Sequence, residues 1–258
     1  MDATMDPPTR VFWAPGCSSC LRAKEFLRKQ GIPFVPVNVA AEPGAMDELR
    51  ALGARSVPIV ARGDRYVYAQ TLKDIREFLG LPAEDDGTLA PQVLVERVNI
   101  ILPAAMRYVR QMPDAVLDGP FRNSWAPPRG LAHHVFRIVE AFLEARGTGE
   151  PLTNELIMQG THEVVPRQDV IGYGERVLAR FNAWWAAQDD RACTAVMATY
   201  YGDQSVHLAL ERTTWHSAQH TRQLMVVLDS MGVAIDGPLT AQDLAGLPLP
   251  EKAWGDEK

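Results

Sequence analysis

Two groups of residues in this 258-residue chain have the types and spacing to do chemistry. The first is Cys17 and Cys20, in the stretch Val11-Phe-Trp-Ala-Pro-Gly-Cys17-Ser-Ser-Cys20-Leu-Arg-Ala-Lys24. A short apolar run ends at a Pro-Gly turn, which puts Cys17 where a helix should begin. A thiolate there is stabilised by unpaired backbone N–H groups and the helix dipole, so Cys17 is expected to be nucleophilic at neutral pH. Cys20 is spaced to resolve the mixed disulfide that such a nucleophile forms. C-x-x-C pairs can also ligate zinc. Here no second pair exists and no histidine precedes His133, so a four-ligand site cannot be assembled locally.

The second group is a set of histidines. In Glu211-Arg-Thr-Thr-Trp-His216-Ser-Ala-Gln-His220-Thr-Arg222, two imidazoles stand one helical turn apart. At about 100° per residue they share a face with Leu224 and Val227. Imidazoles on an inward stripe are costly unless neutral and hydrogen-bonded, or bound to metal. The spacing suits a transition metal such as zinc, whose catalytic sites take three protein ligands and keep one position open. A third ligand is available in Leu131-Ala-His133-His134-Val135, where the apolar stripe is Leu131, Val135, Ile138 and Phe142. His134 lies roughly 80° from the stripe's centre, whereas His133 falls with Arg137, Glu140 and Glu144 on the polar face. His134 is therefore the expected inward ligand and His133 an expected solvated residue. Zinc is the first expectation for the divalent metal, with nickel, iron and manganese also accepting imidazole. Arg222, two residues past His220, is a candidate to hold a thiol cofactor's carboxylate or to bridge a neighbouring acid.

The remaining candidates have plainer readings. His162 reads as a loop residue ahead of Pro166, and His207 as a structural residue opening the last helix. Cys193 reads as a buried core cysteine. Trp184-Trp185 and Tyr200-Tyr201 read as core packing before pocket lining.

The elements that must position these groups have two different periodicities. From Arg10 to Gly80 short β-like runs alternate with helical ones: strands at Arg10–Trp13 and Phe34–Val39, a hairpin from Ile59–Ala61 and Tyr66–Tyr68, and helices at Cys17–Gln30, Asp47–Leu52 and Thr71–Leu79. Cys20, Ala23, Phe26 and Leu27 share one helical face, so Cys20 should point to the core and Cys17 outward. Leu81–Pro91 is acidic, aperiodic and reads as linker. Beyond it the β signal vanishes, and four helices are expected at about Gln92–Gln111, Pro128–Ala145, Gly172–Gln188 and Ser205–Met231. The expected architecture is two-domain, a small α/β unit over 1–82, a linker over 83–91 and an all-α four-helix bundle over 92–258.

Composition bounds the partners. A net charge of −6 without a basic run argues against nucleic acid. No apolar stretch approaches the roughly 18 residues of a membrane span, and the acidic, polar N-terminus is unlike a signal peptide. Three cysteines do not make a secreted disulfide framework, so the expected compartment is a reducing cytoplasm.

Taken with Ser56-Val57-Pro58, the Cys17-Ser-Ser-Cys20 segment resembles glutaredoxins and other thioredoxin-fold proteins over residues 10–80. The resemblance implies a cis Val57–Pro58 peptide beside the cysteines, its backbone pairing with a bound thiol peptide. Ala14 replaces a common lysine and Tyr68-Ala69 a common Gly-Gly, so two glutathione-holding features are unmatched. A low-molecular-weight thiol such as glutathione is still an expected co-reactant. Leu131-Ala-His133-His134 and Trp215-His216-Ser-Ala-Gln219-His220-Thr-Arg222-Gln223 together resemble the DinB superfamily over residues 90–235. That resemblance implies a DinB-like four-helix bundle with one metal-binding histidine on the second helix and two on the last. Its characterised members include mycothiol-dependent maleylpyruvate isomerases and bacillithiol S-transferases, in which a divalent metal activates a thiol. The implied function is thiol transfer or thiol-assisted isomerisation on a small electrophile, coupled to thiol-disulfide exchange. The alternative is a glutaredoxin-type oxidoreductase whose bundle docks or senses. Bundles of this kind often pair, which leaves a homodimer open.

Overall fold

A computed structural model describes residues 7–83, 87–122, 124–163 and 165–255. The chain divides into two compact units, Met1–Asp86 with Pro250–Lys258, and Gly87–Leu249. The division falls inside the stretch read as linker. The last residues, read with the bundle, group with the first unit instead.

The first unit runs β1 (Arg10–Trp13), α1 (Ser18–Lys29), β2 (Val35–Asn38), α2 (Ala45–Ala51), β3 (Ile59–Arg62), β4 (Arg65–Tyr68) and α3 (Leu72–Leu79). Its sheet has the order β2-β1-β3-β4, with β1 parallel to β2 and the other pairs antiparallel. Successive strand residues face opposite sides of a sheet, and both sides are buried here. Val11 and Val60, opposite each other in register, join Ala23, Phe26, Leu27 and Ile75 from α1 and α3. Phe12 and Ile59 turn the other way, to Val37 and to Ala45 and Leu49 of α2. Helices on both faces of a small mixed sheet make the expected α/β unit. Local signals close its ends. Thr71 caps α3 by accepting the Asp74 N–H at 3.0 Å, and Gly80 ends it at φ 67°. Near the end of the chain, Glu25 on α1 accepts the Glu251 N–H at 2.7 Å, and Trp254 is buried.

The second unit runs α4 (Pro91–Gln111), α5 (Asp114–Leu117), α6 (Pro128–Thr148), α7 (Asn154–Met158), α8 (Arg167–Ala186), β5 (Val196–Thr199), β6 (Gly202–Ser205) and α9 (Val206–Ser230). Helices α4, α6, α8 and α9 form a four-helix bundle, with α9 and α8 each packed against α4 and α6. Proline opens α4 and α6, where its fixed φ and missing N–H suit the first helical position. The helix expected from Gly172 starts five residues earlier, because Pro166 sets its start and Gly172 is carried inside. Gly174 has a packing role: a Cβ there would lie 2.7 Å from the Phe136 ring, so glycine lets α8 close on α6.

The expectation that β structure ends at the linker is corrected. β5 and β6 form an antiparallel hairpin that runs directly into α9. Leu152 lines its edge, donating to the Ala198 carbonyl at 2.9 Å and accepting from the Tyr200 N–H at 2.9 Å. Both strands have only four residues, and Gly202–Ser205 contains no apolar side chain, so no alternation could show. The short helices α5 and α7 lie in the connections between the expected bundle helices. Among the described residues, no helix is long and apolar enough to cross a membrane.

Candidate functional site

In the first unit Cys17 is the N-cap of α1, with extended backbone at ψ 107°, and is joined to Cys20 by a disulfide. Its Sγ accepts the Cys20 N–H at 3.2 Å, and no acidic side chain occupies the first turn of α1. A reduced Cys17 therefore sits among the orphan N–H groups of a helix start, which favour the thiolate. Cys20 is 1% exposed and faces the core, whereas Cys17 is only half-buried. One turn past Cys20, buried Lys24 lies over the Trp13 ring with Nζ 3.6 Å from its centroid. Burial, and then repulsion from Arg28, lower the Lys24 pKa to about 8. The Val57–Pro58 peptide is cis. Val57 is half-buried, and the carbonyl of buried Pro58 accepts the Ala69 N–H at 2.9 Å as the chain enters β3. Arg22 ties α1 to the end of the hairpin, donating to the Gln70 carbonyl at 2.6 Å.

In the second unit, α6 contributes His134 and α9 contributes His216 and His220. One ligand nitrogen from each lies within 4.8 Å of the others. His134 is 2%, His216 9% and His220 1% exposed, so this is a desolvated cluster. His220 Nδ1 lies 2.7 Å from Gln223 Oε1. An amide oxygen can only accept, so Nδ1 carries the proton and Nε2 presents a lone pair to the cluster. That Nε2 stands 3.1 Å from His216 Nε2. A tetrahedral ion about 2.0–2.1 Å from each nitrogen needs ligand atoms about 3.3 Å apart, so the pair fits such an ion. Burial lowers the His220 pKa to about 4, with the Gln223 hydrogen bond opposing and the Arg212 charge assisting. Burial, followed by the His220 charge, holds His134 well below the ordinary range. Neutral, converging imidazoles are what a divalent ion requires.

Other groups frame the cluster. Trp125 packs edge-on against His134, with centroids 5.0 Å apart, and against His220 at 6.3 Å. Exposed His162 lies against the same indole at 5.8 Å. Arg212 is 4% exposed and sits one and two turns before the α9 ligands. Sequence reasoning passed over it, although 212, 216 and 220 share the i, i+4 spacing that singled out the histidines. Arg222 is half-buried and donates to Gln219 Oε1 at 2.7 Å. Its backbone position is about 160° around α9 from His220.

The reading of His133 as a solvated residue is corrected. It is half-buried and stacked on Tyr173 of α8, with centroids 4.8 Å apart, in space left by Gly160. The polar face it shares is itself largely covered. Buried Arg137 pairs with Glu140 at 3.1 Å and with Glu144 at 2.5 Å, while Tyr173 and Arg180 of α8 both bond Glu140. Burial and the Glu140 hydrogen bond raise the Tyr173 pKa. His207 bonds the Leu89 carbonyl at 2.7 Å, a structural role, and Cys193 is buried. Trp184 packs on Phe142 and Phe181, and Trp185 donates to Gln92 Oε1 at 3.1 Å.

A family model described as Glutaredoxin matches residues 10–67. The Gene 56 protein of Mycobacterium phage L5 is 41% identical over 58 residues, which cover 22% of this chain and 56% of that protein. This chain thus spans little more than half of that relative's length. The uncharacterized glutaredoxin-like 8.6 kDa protein in the rubredoxin operon of Clostridium pasteurianum is 36% identical over 52 residues, 20% of this chain and 69% of that one. Glutaredoxin-like protein NrdH of Salmonella typhimurium is 37% identical over 54 residues, 21% of this chain and 67% of that one. Two solved structures are DinB-like or four-helix bundles from Bacillus subtilis. A DinB-like protein matches at 11% identity and TM-score 0.45, over 57% of this chain and 96% of its own. YfiT, described as a probable metal-dependent hydrolase with an unusual four-helix bundle topology, matches at 14% and 0.46, over 56% and 89%.

Proposed function

The chain belongs to the glutaredoxin family through residues 10–67, and on that premise we propose that it exchanges thiols and disulfides at Cys17 while its second unit uses a divalent metal on a small electrophile. The observation that carries the redox half is the placement of Cys17 Sγ at the N-cap of α1, bonded to the Cys20 N–H. The Cys17 thiolate attacks a substrate disulfide, forming a mixed disulfide and releasing one thiolate, which takes up a proton. Cys20 gives up its proton and attacks Cys17 Sγ, releasing the second thiolate. The substrate gains two electrons, and the dithiol becomes the Cys17–Cys20 disulfide seen here. Two equivalents of a low-molecular-weight thiol reset it, leaving as their own disulfide.

The convergence of His134, His216 and His220 supports the metal half. A divalent ion held by the three imidazoles would supply Lewis acidity and lower the pKa of a bound thiol or water. Gln223 fixes the His220 tautomer, as a hydrogen-bonded partner commonly does for a ligating histidine. Trp125 shields the cluster on one side and helps hold the imidazoles neutral. With a thiol as nucleophile the site performs S-transfer or thiol-assisted isomerisation, and the redoxin unit delivers or regenerates that thiol. With water as nucleophile it performs hydrolysis.

Metal analysis of the chain purified without added metal, beside His216→Ala and Cys17→Ser, tests both halves. One equivalent of a divalent ion is expected in the parent and in Cys17→Ser, with much less in His216→Ala. Disulfide reduction is expected to vanish in Cys17→Ser and to persist in His216→Ala. Stoichiometric metal that survives removal of all three histidines ends the metal half, and reduction that survives Cys17→Ser ends the redox half.

A further inference from the structure

We propose that Trp125, braced by His162, closes the route from solvent to the three imidazoles, so that a ligand reaches the cluster only when the indole swings aside. The proposal rests on the metal-centre reading above and names the side chain that decides what enters that centre.

The geometry begins with the indole. Trp125 lies in the connection between α5 and α6 and is half-buried. It packs edge-on against His134 and His220, both almost stripped of solvent. The same ring meets His162, an exposed residue of the connection between α7 and α8, at 5.8 Å. A line from solvent to the cluster thus runs past His162 and then through Trp125. His216, the third imidazole, is covered instead by the buried Trp215 ring, with centroids 5.5 Å apart.

The two connections are fixed to one frame. Buried Arg129, in the first turn of α6, donates from Nε and Nη2 to the Asp118 carboxylate at 2.5 and 2.8 Å, and from Nη1 to the Val165 carbonyl. Asp118 begins the connection that carries Trp125, and Val165 ends the one that carries His162. Next to His162, Thr161 is fully buried and its hydroxyl donates to the Met158 carbonyl at 2.6 Å. A Cβ on Gly160 would lie 2.9 Å from the His133 ring, so that turn sits directly on α6. A bidentate ion pair and close packing hold both backbones in place. What can move between them is the indole, which changes rotamer on a backbone that stays put. Such a turn opens the cluster without loosening the helices that supply it.

The test is modification of the full, metal-free chain by diethyl pyrocarbonate, which acylates neutral imidazoles, followed by peptide mass mapping. In the parent, His162 is expected to react fast and His134 and His220 slowly. Trp125→Ala should speed reaction at His134 and His220 about tenfold or more, Trp125→Phe less, and His162→Ala about threefold, since each removes part of the cover. His207, bonded to the Leu89 carbonyl in the same unit, reports general loosening and should keep its rate. If Trp125→Ala does not fold, Trp125→Phe and His162→Ala decide. The gate is overturned if the cluster reacts as fast as His162 in the parent, ignores the substitutions that fold, or speeds up only together with His207. Cobalt(II) titrated into the same chains separates the two readings. One equivalent bound alongside an overturned gate would leave the metal centre standing. Indole-dependent modification in a chain that takes up no cobalt would do the reverse.

Discussion

The dithiol and the histidine cluster are assembled in opposite ways. Cys17 and Cys20 belong to one strand-turn-helix passage, and the same α1 start that spaces them supplies the N–H groups acting on Cys17. The three histidines come from α6 and α9 and converge only when those helices pack. A site made by one turn of chain draws its electrostatics from local geometry. A site made across a bundle draws them from burial, so its chemistry is tied to the stability of the unit around it.

The largest expected difference between the two is in their response to acid. The folded His220 pKa is depressed to about 4, against an ordinary value near 6.5. Below about 6.5 the unfolded chain takes up a proton that the folded chain refuses. The stabilisation is therefore complete above pH 6.5 and lost as pH falls toward 4, by on the order of 3 kcal/mol. The first unit contains no histidine and should lack this decline. Urea unfolding of metal-free protein between pH 7 and 4, read from the amide NMR signals of each unit, checks it. Equal pH responses of the two units would remove the contrast.

Next in size is the effect of the residue that orients His220. Gln223→Leu should lower cobalt affinity about 10- to 100-fold, the usual loss when a ligand's hydrogen-bonded partner is removed. Disulfide reduction at Cys17 should not change. A competition titration with a chelator measures the first, and turnover of a small disulfide the second. Unaltered affinity would mean that packing alone orients His220.

The smallest effect sharpens the local side of the comparison. Thr71→Ala removes the oxygen that caps α3 and should cost the first unit about 1 kcal/mol, with metal affinity in the second unit unchanged. Chemical denaturation followed by the signals of the first unit gives the number. A loss below a few tenths of a kcal/mol would show that the sheet, not the cap, sets the start of α3.

Most of the first unit was legible because its signals are short-range. The apolar run of Val11–Trp13, the Pro15-Gly16 turn and the shared helical face of Cys20, Ala23, Phe26 and Leu27 each act within a few residues. In the second unit the helices were legible and their surroundings were not. The face bearing His133, Arg137, Glu140 and Glu144 reads as polar, and polar usually means solvated. Here Tyr173 and Arg180 of α8 reach Glu140, and Tyr173 stacks on His133. Periodicity reports the chemistry of a face but not what covers it. The β5–β6 hairpin escaped for a related reason: its strands are four residues long and are held partly by Leu152, remote in sequence.

By itself the sequence determined that a dithiol opens a helix and that two imidazoles share a helical face, because turn chemistry and helical period are written in neighbouring residues. Only the tertiary structure decided that His134 meets His216 and His220 and that His220 is oriented by Gln223. Those outcomes depend on which faces of α6 and α9 are pressed together and stripped of water. No local pattern encodes that pairing.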